Sequence, residues 1–314
     1  MKIFITGASG YIGSVVTEKA LQAGHDVVGL ARSEHSAEKV KKLGAKPLLA
    51  TLEDTEALAA AAREADAVLH LGFVHEFDRP YEEPISIDSK ATQAIGSALA
   101  GSNKPLVTTS GTGVIQPNNG KETTEESPLA EGHFKVRGLG EKTTTDLSNV
   151  GVRAMVIRLA PYVYGRGGSF FVPTNMQVAA KYGFAAYIDD GSAMTTAVDV
   201  DAAADLYLLA VEKGKAGSVF NCSTENNVHL KQLAEAIATA IGVKTKSVAI
   251  EQANEMYGPF IATFLHLENR ASSAKALREL GWAPKAKYRL CDDIMYGSYK
   301  PLAQQLRSAA KVVS

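Results

Sequence analysis

A chain of 314 residues with 46% apolar and 21% charged residues can bury a substantial core, and its formal net charge of −1 lacks the basic excess that nucleic-acid or anionic-membrane partners need. Its two cysteines, Cys222 and Cys291, stand in no metal-ligand spacing, so no metal site is expected. The N-terminus has no signal-peptide pattern and no apolar run reaches transmembrane length, which points to a soluble, cytoplasmic protein.

Short apolar runs alternate with amphipathic ones, the pattern of a parallel sheet covered on both faces. Strands are expected over 2–6, 26–31, 46–50, 67–71, 106–109 and 153–158. Helices are expected between them over 11–23, 37–43, 55–63, 85–100 and 132–147. Repeated strand–helix units joined by right-handed crossovers make a Rossmann-type doubly wound α/β fold. After about residue 165 the pattern loosens, with helices expected over 173–182, 201–213, 230–241 and 272–280, the last ended by Gly281. The expected division is a dinucleotide-binding domain over 1–165 and a smaller, mainly substrate-binding lobe over 166–314, with about 195–221 returning to the first domain.

The first strand runs into Thr6-Gly7-Ala8-Ser9-Gly10-Tyr11-Ile12-Gly13. Glycine spacing alone is a weak signal, but here a strand precedes it and a helix follows. Gly7 permits the tight turn, Gly10 lets backbone approach a pyrophosphate, and Gly13 lets the helix lie close on the sheet. Free amides from Ser9, Tyr11 and Ile12 onward, with the helix dipole, then favour the anion. The second strand ends Ala31-Arg32-Ser33. An acid there would accept the adenosine ribose hydroxyls and repel a 2′-phosphate, whereas Arg32 and Ser33 offer a charged fork and a hydroxyl. NADP is therefore favoured over NAD. At the C-terminal ends of the third and fourth strands, Leu52, Leu71, Gly72 and Phe73 are expected against the same ligand, with His75 and Tyr81 beyond them. His70, inside the fourth strand, reads as a satisfied core histidine.

The glycine motif, the strand ending in Arg32, the Thr108-Thr109-Ser110-Gly111 strand end and Arg158-Leu159-Ala160-Pro161-Tyr162-Val163-Tyr164-Gly165 resemble the extended and atypical short-chain dehydrogenase/reductases, the NAD(P)-dependent epimerase/dehydratase-like group. The resemblance covers nearly the whole chain, and it implies a catalytic Tyr-x-x-x-Lys pair after the fifth strand with an upstream Ser or Thr. Ser110 fits the hydroxyl role, with Thr112 as the alternative. The pair itself does not carry over. Aligned on Glu141, those positions hold His133 and Arg137, and a frequent asparagine of the fourth helix is Asp88. Residues four apart share a helix face, so His133 can act as acid or base while Arg137 holds a ribose hydroxyl or an anion. The competing reading pairs Arg137 with Glu141 at i,i+4. Pro161 matches a position against the nicotinamide, and Tyr162 and Tyr164 are further proton-donor candidates. Tyr296 and Lys300 also satisfy the Tyr-x-x-x-Lys spacing, by chance.

The glycine-rich 165–171 segment is expected to close as a flexible lid, and Met176, Tyr187, Met194, Tyr257 and Phe264 are candidates for an apolar pocket. Arg166 and Arg270 are the only cations suggested for a substrate diphosphate, so a smaller, partly apolar carbonyl compound fits better. The expected function is an NADP(H)-dependent oxidoreductase acting on a small carbonyl or alcohol. An epimerase, dehydratase or other lyase on the same scaffold, or a non-catalytic NmrA-like regulator, are the alternatives. The resemblance also implies a possible homodimer through the alanine-rich 85–100 helix and its successor.

Overall fold

The structure is a computed structural model and describes residues 1–75 and 82–313. The first half runs β1 (Lys2–Thr6), α1 (Tyr11–Gln22), β2 (Asp26–Ala31), α2 (Glu34–Lys42), β3 (Lys46–Leu49), α3 (Thr55–Glu64), β4 (Ala67–His70), α4 (Glu82–Leu99), β5 (Pro105–Gly111), α5 (His133–Asp146) and β6 (Arg153–Leu159). There follow β7 (Tyr162–Tyr164), α6 (Phe171–Tyr182), β8 (Phe184–Ile188), β9 (Met194–Asp199), α7 (Val200–Lys213), β10 (Val219–Cys222) and β11 (Glu225–His229). The remainder is α8 (Leu230–Ile241), β12 (Lys244–Val248), α9 (Ile250–Tyr257), α10 (Pro259–Phe264), α11 (Ala274–Leu280), α12 (Leu290–Tyr296) and α13 (Lys300–Val313).

Seven parallel strands form the main sheet in the order β10-β6-β5-β4-β1-β2-β3. The α/β expectation holds, and the physical reason is visible in β1. Ile3 and Ile5 are buried on one face with Val15, Val16 and Leu206, while Phe4 is buried on the other with Leu58, Val68 and Ile95. A strand covered on both faces needs such a continuous apolar run. The chain order reverses between β1 and β4, so a crevice opens at their C-terminal ends. Several expected helix starts move, among them α4 to Glu82 and α6 to Phe171, and α2 begins at Glu34, not 37, because the Ser33 hydroxyl accepts a hydrogen bond from the Ser36 amide and caps it.

Beyond β6 the chain builds a second apolar cluster around Met176, Leu233, Ile237 and Tyr299. Two small sheets, β11-β9-β7 and β12-β8, brace it. Among the described residues no helix is long and apolar enough to cross a membrane, and no group of three or more metal-ligating side chains comes together.

Candidate functional site

The glycine motif turns under backbone from the neighbouring strand. Gly7 adopts φ +71°, and a Cβ there would stand 2.8 Å from the Gly72 nitrogen. A Cβ on Gly13 would fall 2.0 Å from the Gly7 carbonyl oxygen, so any side chain would push α1 off the turn. Gly10 is the N-cap of α1 and no side chain caps it, which leaves the first-turn amides open to ligand. These groups border a cleft of about 770 Å³, whose walls include Ser9, Tyr11 and Ile12. A turn closed to side chains, uncapped amides and a long cleft together fit an extended dinucleotide.

A buried relay fixes the floor of this turn. The Gly72 amide donates to Thr6 Oγ1 at 2.9 Å, and Thr6 Oγ1 lies 2.7 Å from His70 Nδ1. His70 Nε2 lies 3.2 Å from Asp88 Oδ1 on α4. With Asp88 accepting, Nε2 carries the proton and the Thr6 hydroxyl donates to Nδ1, so every member is satisfied in one direction. The departure of Asp88 from the usual asparagine thus has a local partner.

Toward the β2 side, Arg32 is exposed and lines the cleft, as do Thr51, Leu52 and Glu53. Leu52 packs near Gly72, where a Cβ would meet its Cδ2 at 3.2 Å. Ser33 is a correction: its hydroxyl is engaged as the α2 cap and does not line the cleft. Thr51 and Glu53 had no signal in the sequence beyond their place after β3.

Toward the β5 side, Leu71, Gly72, Phe73, His75, Thr109 and Pro161 line the cleft. The Thr109 hydroxyl donates to the His70 carbonyl at 3.0 Å and lies 2.8 Å from the Tyr207 hydroxyl. Ser110, on the opposite pleat from Thr109, is buried and absent from the cleft wall, and its hydroxyl has no hydrogen-bond partner among the described residues. Thr112, its alternative, is committed to Asn269 and Thr196 in the interior. Arg137 Nη2 donates to the Thr109 carbonyl at 3.2 Å, and its guanidinium lies 4.2 Å over the Phe73 ring. The i,i+4 pairing with Glu141 does not form. Glu141 is instead bound by Arg158, with the Nη2 to Oε2 contact at 2.7 Å and Nε to Oε1 at 2.9 Å. That buried fork ties α5 to β6. His133 opens α5, but its side chain lies outside the described residues, as does Tyr81.

Tyr162 is also corrected. It is fully buried in the second apolar cluster, burial raises its hydroxyl above the ordinary tyrosine range, and no part of it lines the cleft. Tyr164 likewise turns inward and donates to the Tyr288 carbonyl at 2.8 Å, with Glu225 Oε1 3.2 Å from its hydroxyl. Tyr296 is exposed on α12, remote in role from the cleft.

The expected lid is a tied strap. Gly165 and Gly167 have positive φ, and so do Arg166 and Ser169, for which that conformation is uncommon and needs support from neighbours. The Tyr11 hydroxyl donates to the Gly165 carbonyl at 2.8 Å. From near the C-terminus, the Tyr299 hydroxyl donates to the Gly168 carbonyl at 2.8 Å and accepts from the Gly165 amide at 3.2 Å. Arg166 grips Glu18 on α1 and Asp201 on α7, each at 2.7 Å. The strap delivers Ser169, Phe170 and Phe171 to the cleft wall.

The sequence profile of the NAD dependent epimerase/dehydratase family matches residues 3–223. An uncharacterised protein of Schizosaccharomyces pombe is 41% identical over 284 residues, 90% of this chain and 95% of the relative. A 4-hydroxy-2-methyl-3-oxo-4-farnesyl-3,4-dihydroquinoline-1-oxide ketoreductase of Stigmatella aurantiaca is 25% identical over 252 residues, 78% of this chain and 75% of that one. Among solved structures, the dTDP-glucose 4,6-dehydratase DesIV of Streptomyces venezuelae, determined with NAD and TYD bound, superposes with a TM-score of 0.79 at 17% identity over the whole of both chains. From its glycine turn through β10, the chain belongs to the NAD dependent epimerase/dehydratase family.

Proposed function

We propose that this protein is an NADP(H)-dependent oxidoreductase acting on a carbonyl or alcohol, with His133 and Arg137 where relatives carry Tyr and Lys. The observation that carries the reading is the unpartnered, buried hydroxyl of Ser110, adjacent in β5 to the Thr109 carbonyl that Arg137 holds. A buried polar group without a partner is costly unless a ligand satisfies it. The similarity to a named ketoreductase supports reduction as one of the chemistries of the family.

The bound dinucleotide supplies or accepts the hydride. Ser110 donates its hydroxyl proton as a hydrogen bond to the substrate oxygen and holds it in place. His133, one helical turn before Arg137, passes the proton to that oxygen, because imidazole titrates near neutral pH and needs no help from a neighbouring lysine. Arg137, flat on Phe73 and unable to lose its proton, steadies a ribose hydroxyl or the negative charge growing on the oxygen. Arg32 binds the 2′-phosphate that distinguishes NADP.

The test is NADPH consumption by purified protein against a panel of carbonyl compounds. His133→Ala is expected to slow turnover by roughly 100-fold or more, the usual worth of a positioned acid. Turnover that survives both His133→Ala and Arg137→Ala contradicts the assignment. An epimerase or dehydratase would convert its substrate with no net NADPH change, and a regulator would bind the cofactor without turnover.

A further inference from the structure

On the side of β1 away from Arg32, the cleft is walled by rings. Phe73, after β4, meets His75 edge-on at 5.2 Å and lies beneath the Arg137 guanidinium. Phe170 and Phe171, at the head of α6, stand 5.4 Å apart and nearly perpendicular. Behind them Phe171 packs on Phe264 at 4.8 Å, and Phe264 packs on Phe134 of α5 at 5.7 Å. A Cβ on Gly113 would touch both Phe134 and Phe264 at 3.9 Å, so this cluster abuts the chain three residues past Ser110. Phe170, although in the cleft wall, is 45% exposed.

Charge is sparse where the rings stand: Arg137, over Phe73 and hydrogen-bonded to the Thr109 carbonyl, is the cation beside them. Among the described residues, the cleft wall holds one cation, Arg32, on the far side of the glycine turn. Arg166 is held on the outer surface by Glu18 and Asp201. Arg270 is held by the Asn226 and Gly120 carbonyls, Arg158 by Glu141, and Arg289 by Glu225. A substrate diphosphate would meet Arg137 alone against its two negative charges, an imbalance that a low-dielectric cleft penalises.

We infer that the substrate is an uncharged ketone, or the matching alcohol, that carries an aromatic ring, seated against Phe73 and the Phe170–Phe171 pair with its oxygen toward the C-terminal end of β5. Offset and edge-to-face contacts favour a flat π-system over a saturated skeleton of equal size. The chemistry rests on the oxidoreductase reading; the binding preference does not. In the step itself the carbonyl carbon gains hydride from NADPH, which becomes NADP⁺. The C=O π bond breaks and its oxygen takes a proton.

Acetonaphthone and acetyldecalin share one bicyclic skeleton and differ in aromaticity, so they isolate the ring contribution. The full-length protein with NADPH is expected to reduce acetonaphthone with roughly tenfold higher kcat/KM than acetyldecalin. Phe170→Leu and Phe73→Leu should each bring that ratio toward one. In parallel, calorimetry on the NADP-loaded protein with the two corresponding alcohols and with UDP-glucose should give tightest binding of the naphthyl alcohol and none of the sugar nucleotide. If neither ketone is reduced but the naphthyl alcohol still binds selectively, the oxidoreductase reading falls and the ligand class stands. Equal or stronger binding of the saturated alcohol or of UDP-glucose overturns the ligand class, whatever the turnover.

Discussion

At the end of β2 two adjacent polar residues do different work. Arg32 is exposed on the cleft wall, whereas the Ser33 hydroxyl is tied to Ser36 at the start of α2. Both looked like phosphate ligands in the sequence, because the end of that strand is where the ribose substituent is read. The competing signal was the serine three residues on, a local capping pattern that β2-end reasoning overlooks. Arg32→Ala is therefore expected to weaken NADPH binding by roughly 1–3 kcal/mol and leave NADH nearly unchanged, measured by titration with each coenzyme. An equal loss for both removes Arg32 as the discriminator. Tyr162 teaches a similar lesson. Its place after β6 suggested a cleft residue, but the three-residue β7 pairs with β9 and turns the ring into the lower cluster, a nonlocal pairing that no spacing announces.

Among the elements, the 165–169 strap departs furthest from its expected behaviour. Four glycines or glycine-like conformations suggest mobility, yet they serve a rigid path whose anchors, Glu18, Asp201 and Tyr299, come from three distant segments. Contacts separated by more than 130 residues, such as Tyr299 with Gly168, leave no trace in local pattern. Helices with strong periodicity were legible nearly to the residue, α8 over 230–241 among them. The short polar strands β9 and β11 were not, since their stability lies in pairing rather than in alternation.

The strap also carries a pH signature. The Arg166 guanidinium holds the carboxyls of Glu18 and Asp201 below their ordinary values of 4.5 and 3.8, through hydrogen bonds first and charge second. A carboxyl with a depressed folded-state pKa contributes stability above its unfolded value and loses it as pH falls through the lower folded value. Arg166→Ala should thus lower the melting temperature at neutral pH, by an amount worth about 1 kcal/mol or less for pairs this exposed, and the difference should narrow as pH falls below the ordinary carboxyl values. A gap that persists unchanged at acid pH would show that the strap is held by its tyrosines alone.

For the molecule as a whole, the sheet order and its reversal between β1 and β4 decide where anything can bind. The doubly wound topology, though not the strand order, followed from alternating apolar and amphipathic runs, because the central strands are buried on both faces. The second lobe was only partly legible. Its core draws on α6, α8, α12 and α13 together, and the aromatic wall of the cleft is assembled from Phe73, Phe170 and Phe171, with Phe264 and Phe134 behind them. Seen at this scale, the uncapped start of α1 and the cleft above it are the features on which every functional statement depends.

Calorimetric titration of well-folded protein with NADPH and with NADH tests that dependence most directly. The expected result is saturable heat at one site per chain, tighter for NADPH, and lost in Gly13→Val, where the side chain would collide with the Gly7 carbonyl. Absence of heat with either coenzyme, or binding undisturbed by Gly13→Val, would contradict it.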